Sequence, residues 1–180
     1  MTRTINVLSI WLGNLAAYVG GELVGEWIDM TQDLESIMDQ FNAVTNGDTD
    51  EYFIADYESD FPGVRVGEYQ NIKSVKEMAD RLEALADKFG DDLTDAVKAA
   101  SEHTSSSGEM LDYLENHEFY FYDDCDNMTD VAQQVAEIGG YLDELPDFAV
   151  RYFDFEAFGR DLDIEGHFYY VGGSRYVEIV

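Results

Sequence analysis

Three histidines, one cysteine and a large excess of carboxylates are the residues of this 180-residue chain that could do chemistry. Zinc hydrolysis or deamination needs His-Glu-x-x-His, or His-x-Glu followed by Cys-x-x-Cys, because the ligands must converge on one ion. His103, His117 and His167 form neither pattern and read as surface or strand histidines. Cys125 stands between Asp124 and Asp126, whose charges raise a thiol pKa and blunt it as a nucleophile. No Gly-Lys pair exists for a phosphate loop, and Gly20-Gly21…Gly25 and Gly63…Gly67 read as turn glycines. Asn46-x-Asp48-x-Asp50 and Asp124-x-Asp126 begin like calcium loops. Both then fail, with Glu51 or Thr129 where glycine is needed and Tyr57 or Val135 where the bidentate glutamate belongs. Close carboxylate pairs such as Asp154 and Glu156 suit glycosidase chemistry, but 39 acids produce such pairs by chance. No enzyme, cofactor or dedicated metal site is expected.

The carboxylates themselves are the remaining feature. Against 39 Asp and Glu stand 10 Lys and Arg, a formal net charge of −29. Residues 1–60 carry 12 acids and one base, and residues 121–180 carry 14 acids and three bases. The apolar fraction of 46% and aromatic fraction of 14% exclude an acidic disordered tail, so the chain folds. Direct nucleic-acid binding needs a basic footprint and is excluded, as is attraction to an anionic membrane surface. The lone cysteine fits a reducing cytoplasm. Arg3 before the apolar stretch Ile5–Val19 imitates a secretory signal, but Asn6, Ser9, Gly13 and Asn14 interrupt it.

Three readings of the charge stay open: a solvated, salt-tolerant surface, a nonspecific cation buffer, and imitation of nucleic acid. A dimer would carry the charge of roughly 29 base pairs, or about 100 Å of B-form duplex. Carboxylates on successive helical turns stand ~5.4 Å apart, close to the phosphate spacing along one strand. Self-repulsion of this size costs stability, which argues that it serves a purpose.

The elements that must position these acids follow from pattern. Ile5–Trp11, Leu23–Asp29 and Tyr52–Asp56 predict strands, with a helix capped at Thr31 or Asp33 between the last two. Gly13-Asn14 predicts a turn. Ser74-Val-Lys-Glu77 predicts a capping box opening a long helix to Phe89 that Gly90 ends. Lys76–Asp80 and Glu77–Arg81 are i,i+4 pairs along it. Another helix follows from Asp91 or Asp92 through Ala100, and Thr104–Gly108 is a hinge. Met110–Glu115 predicts a short helix, Phe119–Tyr122 a strand and Thr129–Ile138 a helix. Pro146 suits a helix first turn, with Tyr152–Leu162 continuing helically. Phe168–Val180, broken at Gly172-Gly173, predicts a β-hairpin. The fold class expected is α+β, an elongated chain of three small domains. They are a sheet-plus-helix unit (1–61), a helical middle (62–108) and a mixed unit ending in the hairpin (109–180).

Leu15-Ala16-Ala17-Tyr18, followed by Gly21-Glu22-Leu23-Val24-Gly25-Glu26-Trp27-Ile28-Asp29, resembles the opening of the ArdA antirestriction proteins. Ile54-Ala55-Asp56-Tyr57-Glu58 with Gly63-Val64-Arg65-Val66-Gly67-Glu68-Tyr69 is similar to the family's next block. Tyr152-Phe153-Asp154-Phe155-Glu156-Ala157-Phe158-Gly159-Arg160-Asp161-Leu162 resembles its C-terminal antirestriction motif. The blocks keep the family's order across nearly the whole chain, matching least over residues 91–127. The resemblance implies an inhibitor carried by mobile genetic elements. It would occupy the DNA-binding site of Type I restriction-modification enzymes, on the methyltransferase core, as an elongated, curved homodimer resembling bent B-form DNA. It also places the motif near the dimer contact, with Tyr152, Phe153, Phe155 and Phe158 as interface or core aromatics. Asp154, Glu156, Asp161 and Asp163 lie nearby, and Arg151 and Arg160 are expected to bond neighbouring carboxylates. The acidic surface is expected on the acid-only stretches: Glu22, Glu26, Asp29, Asp33, Glu35, Asp39, then Asp123, Asp124, Asp126 and Asp130.

Overall fold

A computed structural model describes residues 6–180. Two compact units divide the chain: Met1–Thr94 with Ser105–Leu111, and Asp95–Thr104 with Asp112–Val180. Each contains one three-stranded antiparallel sheet and helices, an α+β organisation.

In the first unit the central strand is β1 (Ser9–Asn14), shifted from the expected Ile5–Trp11; Ile5 lies outside the described residues. β2 (Gly25–Asp29) and β3 (Tyr52–Glu58) pair on either side of β1. Gly13-Asn14, expected to turn, is therefore strand. Asn14 instead serves as a cap: its side chain accepts from Ala17 N at 2.9 Å and starts the short α1 (Leu15–Val19). Its amide also donates to Val44 O at 2.9 Å, so this buried polar group is satisfied. Alternation along the strands puts Ile10, Leu12, Ile28 and Ile54 on one buried face. The amphipathic α2 (Leu34–Thr45) covers that face with Ile37, Phe41 and Val44.

The long helix α3 (Ile72–Phe89) buries Ile72, Val75, Met78, Ala79, Leu82 and Leu85, the expected stripe. Its cap differs from the expected capping box. Asn71 accepts from Lys73 N and Ser74 N, so the helix starts three residues earlier and Ser74 lies inside its first turn. Lys76 and Asp80 form the expected ion pair. A 3₁₀ turn at Gly90–Asp92 leads into α4 (Leu93–Ser101), and α5 (Ser107–Asn116) follows.

In the second unit β6 (Arg175–Ile179) lies between β4 (Phe119–Tyr122) and β5 (Phe168–Gly172). The predicted hairpin is present, turning at Gly173 and Ser174, both at positive φ as a two-residue hairpin turn requires. Val177 and Ile179 pack with Ala99 of α4 and with Tyr113. A second cluster joins Tyr122, Cys125 and Phe168 to α6 (Met128–Ile138) and α8 (Phe155–Glu165) through Val131, Ala132 and Leu162. Asn127 and Asp130 make a capping box at the start of α6, one residue ahead of the expected helix. Pro146 precedes α7 (Asp147–Val150) as its N-cap, outside the first turn. The helix expected from Tyr152 starts only at Phe155, because Asp154 turns the chain and accepts from Ala157 N at 2.9 Å. No described helix is long and apolar enough to cross a membrane.

Candidate acidic interaction surface

Catalytic geometry is sparse among the described residues. His103 Nε2 lies 2.6 Å from Tyr169 Oη, whose own proton goes to Gly166 O at 2.6 Å, so the histidine nitrogen must donate. Tyr113 stacks with both His103 and His117, at ring-centroid distances of 5.2 and 3.9 Å. A cavity of about 440 Å³ in the first unit is lined by Arg65, Met78, Arg81 and Ser105–Ser107. Two of its hydroxyls are committed: Ser105 Oγ donates to Glu109 and Ser107 Oγ to Gly63 O. Cys125 is fully buried, and burial first, then Asp130, Asp123, Asp124 and Asp126, pushes its thiol up. Native protein is therefore expected to leave Cys125 unmodified by a thiol-specific disulfide reagent over hours, reacting stoichiometrically in urea. Rapid labelling of native protein would contradict this placement. Among the described residues no three His, Cys, Asp or Glu side chains form a metal-ligand group.

What the fold does organise is carboxylate. In the first unit Glu22 and Glu26 are exposed around β2, and neither carboxylate has a bonded partner among the described residues. Asp29 ends that strand and accepts from Thr31 N and Oγ1 at 2.9 and 2.8 Å, holding the turn into α2. Asp33 caps α2, taking Ser36 N and Oγ at 2.9 and 2.7 Å. Those bonds to the charged form hold its carboxyl below the usual range. Glu35 and Asp39 are exposed one helical turn apart on α2.

The second group behaves differently. Asp123 pairs with Arg175 Nε at 2.7 Å, so part of its charge is compensated. Asp126 accepts from Ser174 Oγ, and Asp130 is half-buried with its carboxylate bonding the amides of Asp126 and Asn127 at 3.0 and 3.3 Å. Only Asp124, held at φ 56°, is exposed without a bonded partner among the described residues. The strand register adds two acids absent from the expected set, Glu58 and Asp56, beside the expected Asp29. Asp29 and Glu58 flank Ser9, and Asp56 sits opposite Trp11. Period-two alternation in the Ile54–Glu58 block could have signalled them, had β1 been placed correctly.

In the motif segment Phe155 and Phe158 pack against the α6–α8 core, and Phe153 lies 4.8 and 5.8 Å from their rings. Tyr152 is 85% exposed. Asp154 is the α8 cap, whereas Glu156, Arg160 and Asp161 face solvent. The carboxylate partners expected for Arg151 and Arg160 are not found among the described residues; both side chains extend into water. Arg175 is the basic residue that gathers acids. It reaches Asp95 at 3.0 Å, Asp123 at 2.7 Å and the Phe121 ring at 4.8 Å, and Lys98 reaches Asp95 at 2.9 Å.

Burial opposes ionisation of Asp95, but its bonds to Lys98 and Arg175 win and hold its carboxyl below the usual value. The folded-state pKa is depressed, so this stability is present above pH ~4 and lost as pH falls through the folded value. Asp95→Asn should flatten the acid limb of a stability–pH curve, and Arg175→Met should cost about 1–3 kcal/mol at pH 7. Urea midpoints measured from pH 2.5 to 7 test both, and an unchanged acid limb in Asp95→Asn would refute the assignment.

No curated protein matches the chain. Residues 10–177 match the family described as antirestriction protein (ArdA), a stretch that takes in all three sequence blocks, both sheets apart from Ser9, Glu178 and Ile179, and every acid named above. On that match the chain belongs to the ArdA family of antirestriction proteins.

Proposed function

We propose that this protein inhibits Type I restriction-modification enzymes by imitating B-form DNA in the DNA-binding groove of the methyltransferase core. The observation that carries the reading is membership of the antirestriction family in a chain whose exposed acids are held on β2, α2 and their capped ends. Carboxylates fixed this way meet a Lys/Arg lining without the entropy of ordering flexible chains. Their common sign steers encounter with a basic groove. Base-edge patterns are not copied by carboxylates, so inhibition spans enzymes with different recognition sequences.

The proposed acting form is a curved homodimer of three small segments, working in the cytoplasm of a cell that has received a mobile element. Exposed large apolar residues in the second unit support a self-contact there. Ile138, Phe148 and Ile164 are 76%, 68% and 76% exposed, and apolar surface of this kind is what a self-contact would bury. Tyr152 of the motif is also exposed, while Phe155 and Phe158 belong to the core.

A competition assay tests the proposal. Protein is titrated into a Type I methyltransferase core bound to labelled cognate duplex, at two salt concentrations. Stoichiometric displacement that weakens with salt is expected. A folded protein that fails to displace DNA at low salt would favour the other reading of the charge, salt tolerance or nonspecific cation binding.

A further inference from the structure

The sheet face of the first unit opposite α2 carries a feature that charge alone does not require. Cross-strand pairing sets Trp11 between Trp27 and Asp56, and Ser9 between Asp29 and Glu58. One step along, Gly13 lies between Gly25 and Phe53. A Cβ on Gly25 would stand 2.4 Å from Trp11 Cη2, and one on Gly13 would stand 2.5 Å from Phe53 Cε1. The rings thus occupy room that two missing side chains leave. Phe53 is covered by Trp11 and Tyr18, at centroid distances of 6.2 and 5.3 Å, whereas Trp27 remains 44% exposed. Beside Phe53 opens a cavity of about 440 Å³ whose wall includes Asp56, Tyr57, Val66 and Glu68.

An aromatic floor with the Asp56 carboxylate in register, and Glu68 on the wall of the neighbouring cavity, suits one side chain above others. Arginine's guanidinium is planar and weakly hydrated, stacks on indole faces and forks onto carboxylates, whereas lysine offers a compact, strongly hydrated charge. We propose that this face is an arginine-selective docking site for a basic protein partner. Trp11 and Trp27 stack the guanidinium, and Asp56 and Glu68 accept its N–H donors. The inference rests on the mimicry reading for its basic partner, and it adds that binding has a local aromatic centre within the broad field of charge.

Trp11 and Trp27 are the two tryptophans of the chain, so intrinsic fluorescence reports on this face alone. Labelled octa-arginine and octa-lysine peptides, equal in charge, serve as probes at ~150 mM salt. The arginine peptide is expected to bind about five-fold tighter and to change tryptophan emission. Trp27→Ala and the Asp56→Asn/Glu68→Gln pair, both at positions open to solvent or the cavity, should bring the affinity ratio near one with unchanged circular dichroism. Glu35→Gln/Asp39→Asn on α2 should weaken both peptides equally. Equal affinities for the intact protein, or an arginine preference surviving both sets of variants, would overturn the site. DNA displacement is scored separately. Displacement without arginine preference overturns only this inference, and arginine preference lost in the variants without displacement supports the site while removing mimicry.

Discussion

Gly159→Val is expected to unfold the second unit's helix pair or to lower its midpoint by more than 10 °C. A Cβ at Gly159 would stand 2.4 Å from Met128 O, 2.7 Å from Met128 C and 3.1 Å from Thr129 N. All three are backbone atoms of the first turn of α6, which the Asn127–Asp130 capping box already fixes. Flexible side chains can yield to an added methyl, but a capped helical turn cannot, so α6 and α8 must separate. Separation exposes the packing of Val131, Ala132 and Leu162 with Phe155 and Phe158. Overpacking alone costs about 1–3 kcal/mol per inserted group and outweighs the ~1 kcal/mol that alanine gains over glycine in a helix. For a unit of this size each kcal/mol moves the midpoint by roughly 4–8 °C. Gly159→Ala should therefore destabilise measurably and valine much further. Gly108, on α5, has nothing within 4 Å of an added Cβ, so Gly108→Ala should leave the midpoint unchanged or higher. Thermal scans of the three variants decide it: a neutral Gly159→Ala would show that the helix crossing has slack.

The second large effect concerns affinity for the methyltransferase core. Raising salt from 50 to 200 mM is expected to weaken direct binding at least tenfold, since the screening length of exposed charges falls from about 14 to about 7 Å over that range. Neutralising Glu26, Glu35, Asp39 or Asp124 singly should change affinity less than about three-fold, because rim charges contribute modestly one at a time. The quadruple neutral variant should lose roughly the product of the separate effects, with Glu35 and Asp39, one helical turn apart, counted as one coupled pair. Asp33 and Asp130 form a contrasting pair. Their carboxylates hold helix starts, so Asp33→Ala and Asp130→Ala should lower stability first and affinity only through it. Anisotropy titrations at four salt concentrations measure these terms. A single exposed acid worth more than ~3 kcal/mol would mean a concentrated site instead of a distributed field.

The prominent elements were legible because their signals are local. The α3 stripe, the Phe119–Tyr122 strand and the C-terminal hairpin each follow from spacing and turn residues within about 20 positions. Errors arose where a residue's local preference yielded to a distant partner. Gly13-Asn14 has turn composition, yet it continues β1 because Phe53 fills the space above Gly13 and Val44 O takes the Asn14 amide. Ser74 and Glu77 fit a capping box, but Asn71 accepts from Lys73 N and Ser74 N and starts the helix earlier, leaving Ser74 inside it. Tyr152 and Phe153 have helical neighbours, but Asp154 captures the Ala157 amide and starts α8 after them.

The acidic surface divides in the same way. Sequence by itself determined that the chain folds, that its excess of 29 negative charges is the feature to explain, and that its ordered blocks resemble ArdA. Those are properties of composition and order, and no folding is needed to read them. Tertiary structure decided which acids are available. Asp123 meets Arg175, 52 positions away, and Asp126 meets Ser174 across the hairpin turn, whereas Glu26 and Asp124 keep their carboxylates in water. It also set Trp11 beside Trp27 and Asp56 by strand register. A carboxylate's charge belongs to its residue, but the group that neutralises it or leaves it exposed arrives through long-range pairing, which sequence order does not encode locally.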